Sequence, residues 1–437
     1  MTLGKWLNRL GLLCMYCMPA MLWAQEEAQL IQAGRYLDLT SGELIENVHI
    51  RVQNGLIHSI GEGKAAGQGG TVIDLSDYTL LPGLIDTHTH LCDNAYMGDD
   101  FDYWTYPAAT FGIVGTVNAR ITLEAGFTTV RNVSEPFYAD IALRDAINKG
   151  WIAGPRMYVS GPMITMSGGH GNWGNWIASQ HQVITQAHMV ADGPDEVRKA
   201  VRLHIKHGVD LIKIAATGGF GTPGSIPGAA SYTVEEMSAA VVEARKRGLK
   251  VAAHAHGAEG IKNALAAGVW SIEHAALIDA EAIRLMKEQD VFLVMDLLSA
   301  HYDLVEINQD YSDKQLGSSN AQEFANYMQR FGEAHRAGVK MAFGTDASVY
   351  PHGRNGRQFS LMVKAGMTPL EAIRAATTTA AALIGIEDQT GTIEPGKWAD
   401  MIAVRGNPLE DVRVLEEVVF VMKDGRVHKW TGQNNHR

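Results

Sequence analysis

Residues 81–90 read LPGLIDTHTH, a short apolar run that ends on His88 and His90. Side chains two positions apart on a strand point to the same side, so both imidazoles can converge on one metal ion. An H-x-H pair taken alone is more typical of a polar surface. Here the pair follows an apolar strand and Asp86, and that position favours a functional site.

The run at 81–90 is the first of eight similar segments that alternate with helix-like stretches. One of these stretches, 234–248, follows Thr233 and contains Glu236, in the spacing of a capping box. Eight strands alternating with helices predict an α/β fold, a parallel (β/α)8 TIM barrel over residues 81–385. The seven later segments are GFTTVRNV (126–133), RMYVSGP (156–162), VDLIKIAA (209–216), KVAAHAH (250–256), VWSIEHA (269–275), VFLVMDL (291–297) and KMAFGTDA (340–347).

Both ends of the chain outside the barrel have a strand-like texture. Asn54-Gly55 lies between alternating apolar residues in one end region, and Asp424-Gly425 does so in the other. Such dipeptides are strong hairpin signals because both residues accept positive φ. We therefore expect one small β-sandwich domain built from both termini, residues 25–80 and 386–437.

The first 24 residues have the order of a secretory signal: a basic start, an apolar run and a small residue before Gln25. The apolar run from Leu10 to Trp23 is about fourteen residues long, whereas a membrane span needs roughly 20. We therefore expect residues 1–24 to be removed from a periplasmic or secreted protein that keeps no stable membrane span. An uncleaved anchor is the alternative. Without the signal only Cys92 remains, so no disulfide can form within the chain.

Composition and charge restrict the partners of the protein. The chain has 437 residues, of which 46% are hydrophobic, and this is ample for a buried core. Its formal net charge is −11, and no block of Lys and Arg occurs. Because nucleic acid binding needs a basic surface, the sequence predicts no nucleic acid partner.

Lys213 interrupts the apolar segment VDLIKIAA, which is expected to be buried. A buried ammonium group must reach solvent, pair with an acid or lose its charge. A neutral lysine amine can take up CO₂ to give a carbamate, an anionic oxygen ligand able to bridge two metal ions. A lysine paired with a carboxylate at the mouth of the barrel is an equally open interpretation.

Three further polar residues end predicted strands: His254, His274 and Asp346. A single histidine on a strand is more often a hydrogen-bonded core or surface group, and an Asp in this place can be a helix N-cap. In a (β/α)8 barrel, however, catalytic groups gather at the carboxyl ends of the strands. Four His, one Lys and one Asp on five strand ends therefore predict a site for two metal ions.

The sequence resembles the amidohydrolase superfamily over nearly the whole chain after the signal segment. Among its members it is similar to exported Xaa-Pro dipeptidases, carboxypeptidase-like enzymes and ochratoxin-type amidases. No single motif is specific, but the set is. The motifs are LPGLIDTHTH (81–90), GFTTVRNV (126–133), LIKI (211–214), VAAHAHG (251–257), SIEHA (271–275), FGTDA (343–347) and GTIEPGKWADMIAV (391–404).

The resemblance implies a binuclear centre, with zinc as the expected metal. His88, His90 and Asp346 would hold the more buried ion, His254 and His274 the second, and N6-carboxylated Lys213 would bridge the two with a hydroxide. Asp346 would move the proton, His170 would contact the scissile carbonyl, and Tyr232 would bind substrate. The expected substrates are small amides that bear a carboxylate, such as dipeptides, N-acyl amino acids and ochratoxin-like amides. The family also implies a homo-oligomer.

Two other functions stay open at this point. Related barrels open cyclic amides or deaminate their substrates, although the mononuclear deaminases generally lack the lysine found at 213. A barrel without catalysis could serve as an assembly protein, but that case would be marked by lost ligands, and none is lost here.

Several positions depart from the common pattern of the family. Asn132 stands where Asp is frequent, Gln358 where Glu is frequent, and Met295-Asp296 where Pro-Thr is usual. We expect these changes to affect the substrate pocket rather than the metal ligands. Cys92, two residues after His90, is expected to line that pocket rather than to bind metal.

Overall fold

The computed structural model describes residues 28–63, 70–93, 106–176, 189–306 and 314–432. The segment expected to be a secretory signal, residues 1–24, lies outside these ranges. None of the helices within them combines the length and the hydropathy that a membrane span needs.

The strands fall at both ends of the described chain and, between them, alternate with helices. In chain order the strands are β1 (Gln29–Asp38), β2 (Glu43–Gln53), β3 (Leu56–Glu62), β4 (Thr71–Pro82), β5 (Leu84–Thr89), β6 (Phe127–Asn132), β7 (Arg156–Val159), β8 (Ile164–Thr165), β9 (Met189–Val190), β10 (Leu211–Ala215), β11 (Lys250–Gly257), β12 (Ser271–Leu277), β13 (Phe292–Val294), β14 (Met401–Val404), β15 (Phe420–Lys423) and β16 (Arg426–Trp430). The helices are α1 (Ala108–Glu124), α2 (Ala139–Asn148), α3 (Gly193–His207), α4 (Val234–Arg245), α5 (Ala258–Ala267), α6 (Ala280–Glu288), α7 (Leu297–His301), α8 (Lys314–Ala337), α9 (Arg357–Lys364), α10 (Pro369–Ala375) and α11 (Thr378–Ile384).

Strands from the two ends of the chain form one seven-stranded sheet in the order β16-β15-β14-β4-β1-β2-β3. Its tight turns have φ 52° and 76° at Asn54-Gly55 and 50° and 74° at Asp424-Gly425. Positive φ at both central residues is the geometry expected of these dipeptides, so both predicted hairpins are confirmed. Hydrogen bonding joins all seven strands into one sheet, as expected of a single β domain built from both ends of the chain. Strand β4 also continues to Pro82, beyond the expected boundary at residue 80.

Two parallel sheets contain the middle of the chain, one with the order β5-β6-β7 and one with the order β13-β12-β11-β10-β8-β9. All residues of β5, β6 and β10 are buried. Burial on both faces is typical of parallel sheets that are covered by helices. The predicted capping box at the start of α4 is confirmed, since the Thr233 side chain accepts from the Glu236 amide and the Glu236 carboxylate accepts from the Thr233 amide.

The predicted eighth strand, 340–347, is not a regular strand. It makes two isolated parallel bridges, Leu293↔Met341 and Thr89↔Ala347. Between them the Asp346 amide donates to the His88 carbonyl at 2.8 Å, and Asp346 has φ 56°. A left-handed residue breaks the alternation of a strand, which is why the apolar pattern here predicted more regularity than the backbone has.

Arg156 joins the seven-stranded sheet to the parallel strands. From β7 its guanidinium bonds Asp400 Oδ2 at 2.7 Å and also pairs with Asp424. The guanidinium carbon lies 3.6 Å from the centre of the Trp398 ring. The Asp400 side chain is fully buried, so this contact places a paired charge inside the junction between the two parts of the molecule.

Candidate metal centre

A cavity of about 450 Å³ opens at the carboxyl ends of the parallel strands. The alternation of strand and helix brings these ends together, because parallel strands all present the same end to one side of the fold. Every residue of the predicted metal set lines the cavity: His88, His90, Lys213, His254, His274 and Asp346.

The first ligand group consists of His88, His90 and Asp346. Asp346 Oδ1 lies 2.9 Å from His90 Nε2 and 3.4 Å from His88 Nε2. One potential ligand atom of each residue falls within 4.8 Å of the others. The H-x-H spacing on β5 therefore does direct both imidazoles to one point, and the irregular segment 340–347 supplies the carboxylate.

A second group contains His254, His256 and His274, whose potential ligand atoms also lie within 4.8 Å of one another. The rings of His88 and His274 are 4.7 Å apart between centroids, so the two groups adjoin. His256 was not among the predicted ligands. The alternation of β11 would have indicated it, because His254 and His256 are two apart in the same way as His88 and His90.

Hydrogen bonds at the outer nitrogens fix most of these imidazoles. Nδ1 of His88 faces Glu273 Oε2 at 3.0 Å, and Nδ1 of His274 faces Asp296 Oδ1 at 2.9 Å. Nδ1 of His90 lies 2.8 Å from the Ser134 carbonyl oxygen. A ligating histidine typically donates its second N–H in this way, which sets the tautomer and leaves Nε2 for the metal.

Lys213 is buried, and its Nζ has no hydrogen-bond partner among the residues that the structure describes. Burial lowers the pKa of this amine to about 8, although Glu273 acts in the opposite direction. Within the described ranges Lys213 forms no ion pair with a carboxylate, so the structure does not show the alternative interpretation of this residue. A buried amine without a partner, in the same cavity as two groups of histidines, fits a site that a bound metal ion or a group added to the amine would complete.

The charges of the candidate ligands are tightly linked. Burial favours neutral His90, but the hydrogen bond and the charge of Asp346 outweigh it and raise the His90 pKa to about 9. Burial lowers the pKa of His88 to about 3, and Lys213 adds to the shift. The pKa of Asp346 is held well below its usual range by His90 and His88, against the effect of burial. A metal ion could bind to these groups only after His90 gives up its proton.

The backbone is left-handed at two of the predicted ligands. His274 has φ 70° and Asp346 has φ 56°. Each such non-glycine residue costs on the order of 1–3 kcal/mol, and such residues gather at functional sites. Both side chains line the cavity.

His170 lines the cavity from the glycine-rich loop after β8. Its Nδ1 lies 2.9 Å from Thr222 Oγ1, and its ring stacks on His254 with centroids 4.3 Å apart. Burial lowers the pKa of His170 to about 3, and nearby His274 adds to the effect.

Tyr232, in contrast, is not brought to the cavity. Its side chain is 2% exposed, and its hydroxyl donates to the Ala191 carbonyl at 2.7 Å. The hydroxyl thus contributes to the packing of α4 against the chain before α3, and the substrate contact of Tyr232 stays a prediction.

Of the positions that depart from the family pattern, only Asp296 faces the cavity. Asn132 accepts from the Leu91 amide at 2.7 Å, and Gln358 accepts from the Leu298 amide at 3.1 Å. The side chains of Asn132 and Gln358 are both buried, and neither lines the cavity. Cys92 does not line it either, contrary to expectation, but packs fully buried in an apolar cluster with Phe111.

Comparisons with known proteins show what the chain is similar to. The model of the amidohydrolase family matches residues 79–428. The ochratoxinase of Aspergillus niger is 33% identical over 380 residues, which cover 81% of this chain and 76% of that protein. The crystal structure of a Xaa-Pro dipeptidase with bound methionine superposes with a TM-score of 0.86 at 38% identity, covering 92% of this chain and all of that one. A prolidase complexed with N-methylphosphonate-L-proline gives 0.82 at 29% identity, with the same coverage.

Proposed function

The chain belongs to the amidohydrolase family, and on that premise we propose that it hydrolyses amide or peptide bonds of small substrates that bear a carboxylate. The observation that carries the proposal is that two adjoining ligand groups line the same cavity as Lys213, whose buried Nζ has no hydrogen-bond partner among the described residues. Among its relatives are proteins named ochratoxinase, Xaa-Pro dipeptidase and prolidase, whose names point to amide and peptide bonds.

The proposal includes a (β/α)8 barrel in which the two parallel sheets are arcs of one closed sheet. Backbone contacts support closure at both gaps. The Asp210 amide, just before β10, donates to the Val159 carbonyl of β7 at 2.8 Å. On the other side the segment 340–347 bridges β13 and β5. With β7 and β8 as parts of one strand, eight parallel segments enclose the centre.

Two divalent cations, zinc by the nature of the nitrogen and oxygen donors, would be held by the predicted residues. His88, His90 and Asp346 would hold one, His254 and His274 the other, and N6-carboxylated Lys213 would lie between them. Once bound, the cations would make hydroxide available near neutral pH. A carbamate also removes the cost of an unpaired ammonium at Lys213, because the added group is anionic and accepts ligand bonds.

Two residues of the chain then transfer the proton of the attacking water and stabilise the charge that develops on the carbonyl oxygen. Asp346 lies at the first ligand group and accepts a proton from the attacking water, and it later returns one to the leaving amine. With Thr222 donating to Nδ1 of His170, the Nε2–H of that ring donates to the oxygen of the scissile carbonyl. The stacking of His170 on His254 places this donor beside the second ligand group.

A substrate screen tests the proposal. Zinc-loaded protein is incubated with dipeptides, N-acyl amino acids and cyclic imides, before and after exhaustive chelation. We expect turnover of dipeptides or N-acyl amino acids that is lost on chelation and restored by zinc. Turnover restricted to cyclic imides, or full activity after chelation, would overturn it.

A further inference from the structure

Among the charged residues that line the cavity are Glu135 and Arg330, which lie on different groups of strands and helices. Neither has a role in the mechanism proposed above. Glu135 follows Ser134, whose carbonyl oxygen holds His90, and it therefore lies on the side of the first ligand group. Arg330 lies on the side of the second group, as its contacts show.

Glu135 is 1% exposed, and only one of its two carboxylate oxygens has hydrogen-bond partners among the described residues. Oε1 accepts from the Cys92 amide and from Asn132 Nδ2, both at 2.9 Å. Oε2 is buried and has no hydrogen-bond partner among the described residues. Buried carboxylate oxygens are nearly always paired, so an unpaired one that borders a cavity indicates a missing donor.

Arg330 is held at the other side of the centre by α8. Glu323, Tyr327 and Arg330 are spaced four and three residues apart, so they share the helix face that lines the cavity. Arg330 Nη1 donates to the Ala276 carbonyl at 2.7 Å, two residues after His274. Within the described ranges it forms no ion pair, which leaves the rest of its guanidinium fork for an external anion.

We propose that the cavity selects dipeptides with both ends free, with Glu135 receiving the substrate ammonium and Arg330 its carboxylate. The inference rests on the proposed function, because the scissile carbonyl of such a substrate must lie at the metal centre between them. An extended dipeptide spans about 7 Å and carries opposite charges at its two ends, so it can present its ammonium to one side of the centre and its carboxylate to the other. An N-acyl amino acid leaves Glu135 Oε2 without a charged donor and is the disfavoured class.

Binding of an uncleavable analogue tests this assignment without relying on turnover. The ligand is the ketomethylene analogue of leucyl-alanine, in which CH₂ replaces the scissile NH, and it is titrated into the zinc-loaded full chain by calorimetry. Its N-acetylated form and its C-terminal carboxamide are compared with it. We expect each modification to weaken binding to the wild type by about 10-fold to 100-fold, since each leaves a charged group unpaired.

Two conservative variants assign each end. Glu135→Gln keeps an oxygen for Cys92 and Asn132, and in this variant we expect the penalty of N-acetylation to disappear while that of the carboxamide stays. In Arg330→Met we expect the penalty of the carboxamide to disappear while that of N-acetylation stays. The matched controls Glu259→Gln and Arg336→Met alter exposed residues on α5 and α8 and should retain both penalties.

Equal affinity of the free and N-acetylated analogues for the wild type would overturn the inference, as would an unchanged penalty in folded Glu135→Gln. Such a result would leave the proposed function intact if N-acyl amino acids were still hydrolysed. Conversely, selective binding without any turnover would count against the proposed function and in favour of the inference.

Discussion

Glu273 Oε2 lies 3.0 Å from His88 Nδ1, although 185 residues separate the two in sequence. The same carboxylate accepts from Arg131 Nη2 through both oxygens at 2.7 Å. Arg131 and His88 hold the pKa of Glu273 well below its usual range, against the effect of its burial. The buried anion therefore keeps the His88 proton on Nδ1 and the Nε2 lone pair directed at the metal centre.

Replacing Glu273 with Gln should weaken zinc binding by about 10-fold to 100-fold, because the amide can donate to His88 and reverse its tautomer. The variant should also lose roughly 3–5 kcal/mol of stability, since Arg131 stays buried without its counter-ion. Zinc titration and thermal unfolding measure the two effects. Glu288→Gln, at an exposed helix pair with Arg284, is the control and should change neither. Unaltered zinc affinity in Glu273→Gln would contradict the orienting role.

Lys213→Ala should lose bound metal and lower kcat by more than about 100-fold, because the bridging ligand and the charge it stabilises are both removed. Short carboxylic acids such as acetate should restore part of the activity, since the space left by the side chain admits a carboxylate. Metal content and kcat are measured with and without the acid. Lys262→Ala, at a surface pair with Glu281, should remain active. Full activity of Lys213→Ala would exclude the bridging role.

Asp346→Asn should lower kcat by roughly 10²-fold to 10⁴-fold, because an amide cannot accept the proton of the attacking water. Zinc stoichiometry measured on the same sample separates this effect from loss of the ligand. If the variant holds its zinc and keeps wild-type kcat, the proton acceptor must be another group.

Arg156→Ala should destabilise the protein by about 3–5 kcal/mol, because buried Asp400 loses its counter-ion and Trp398 loses the stacked guanidinium. Arg156→Lys should recover only part of this, since an ammonium cannot make the forked contact. Thermal unfolding measures both, with Arg413→Ala at an exposed pair as the control. A melting temperature equal to that of the wild type would show that the junction is not held by this contact.

The buried carboxyl of Asp140 should make stability depend on pH. Burial raises its pKa from 3.8 to about 7, against hydrogen bonds from the Gly161 and Ile141 amides. The folded chain then binds more protons than the unfolded chain between these values, so stability falls as pH rises through this window, by about 1.4 kcal/mol per unit at most. Thermal unfolding at several pH values should show a steeper fall for the wild type than for Asp140→Asn. Parallel curves would contradict the raised pKa.

The predicted ligands could be found from sequence because each is a polar residue within or just after an apolar run, and the ends of parallel strands meet by geometry alone. The same rule would have found Asp296, which follows β13 and faces His274. Glu273 could not be found in this way. Neighbours on a strand point to opposite sides, so its contact with His88 depends on how far β12 and β5 approach across the interior.

Two differences between the expected and the observed structure have a common physical cause. Apolar periodicity predicts where a segment is buried, but it does not report φ, so the left-handed turn at Asp346 was missed. Likewise a tyrosine before a helix is compatible with a cavity or with a backbone acceptor. The hydroxyl of Tyr232 donates to the carbonyl of Ala191, a residue remote in sequence that the local pattern could not indicate.

In the seven-stranded sheet β14 pairs with β4, and so a strand near residue 400 completes the pairing of one that ends at Pro82. During synthesis this edge of β4 has no partner until most of the polypeptide has left the ribosome. Until then β4 exposes an unpaired edge, a hazard for association with other nascent chains. The placement of β14 thus makes folding of this sheet a late, post-translational event.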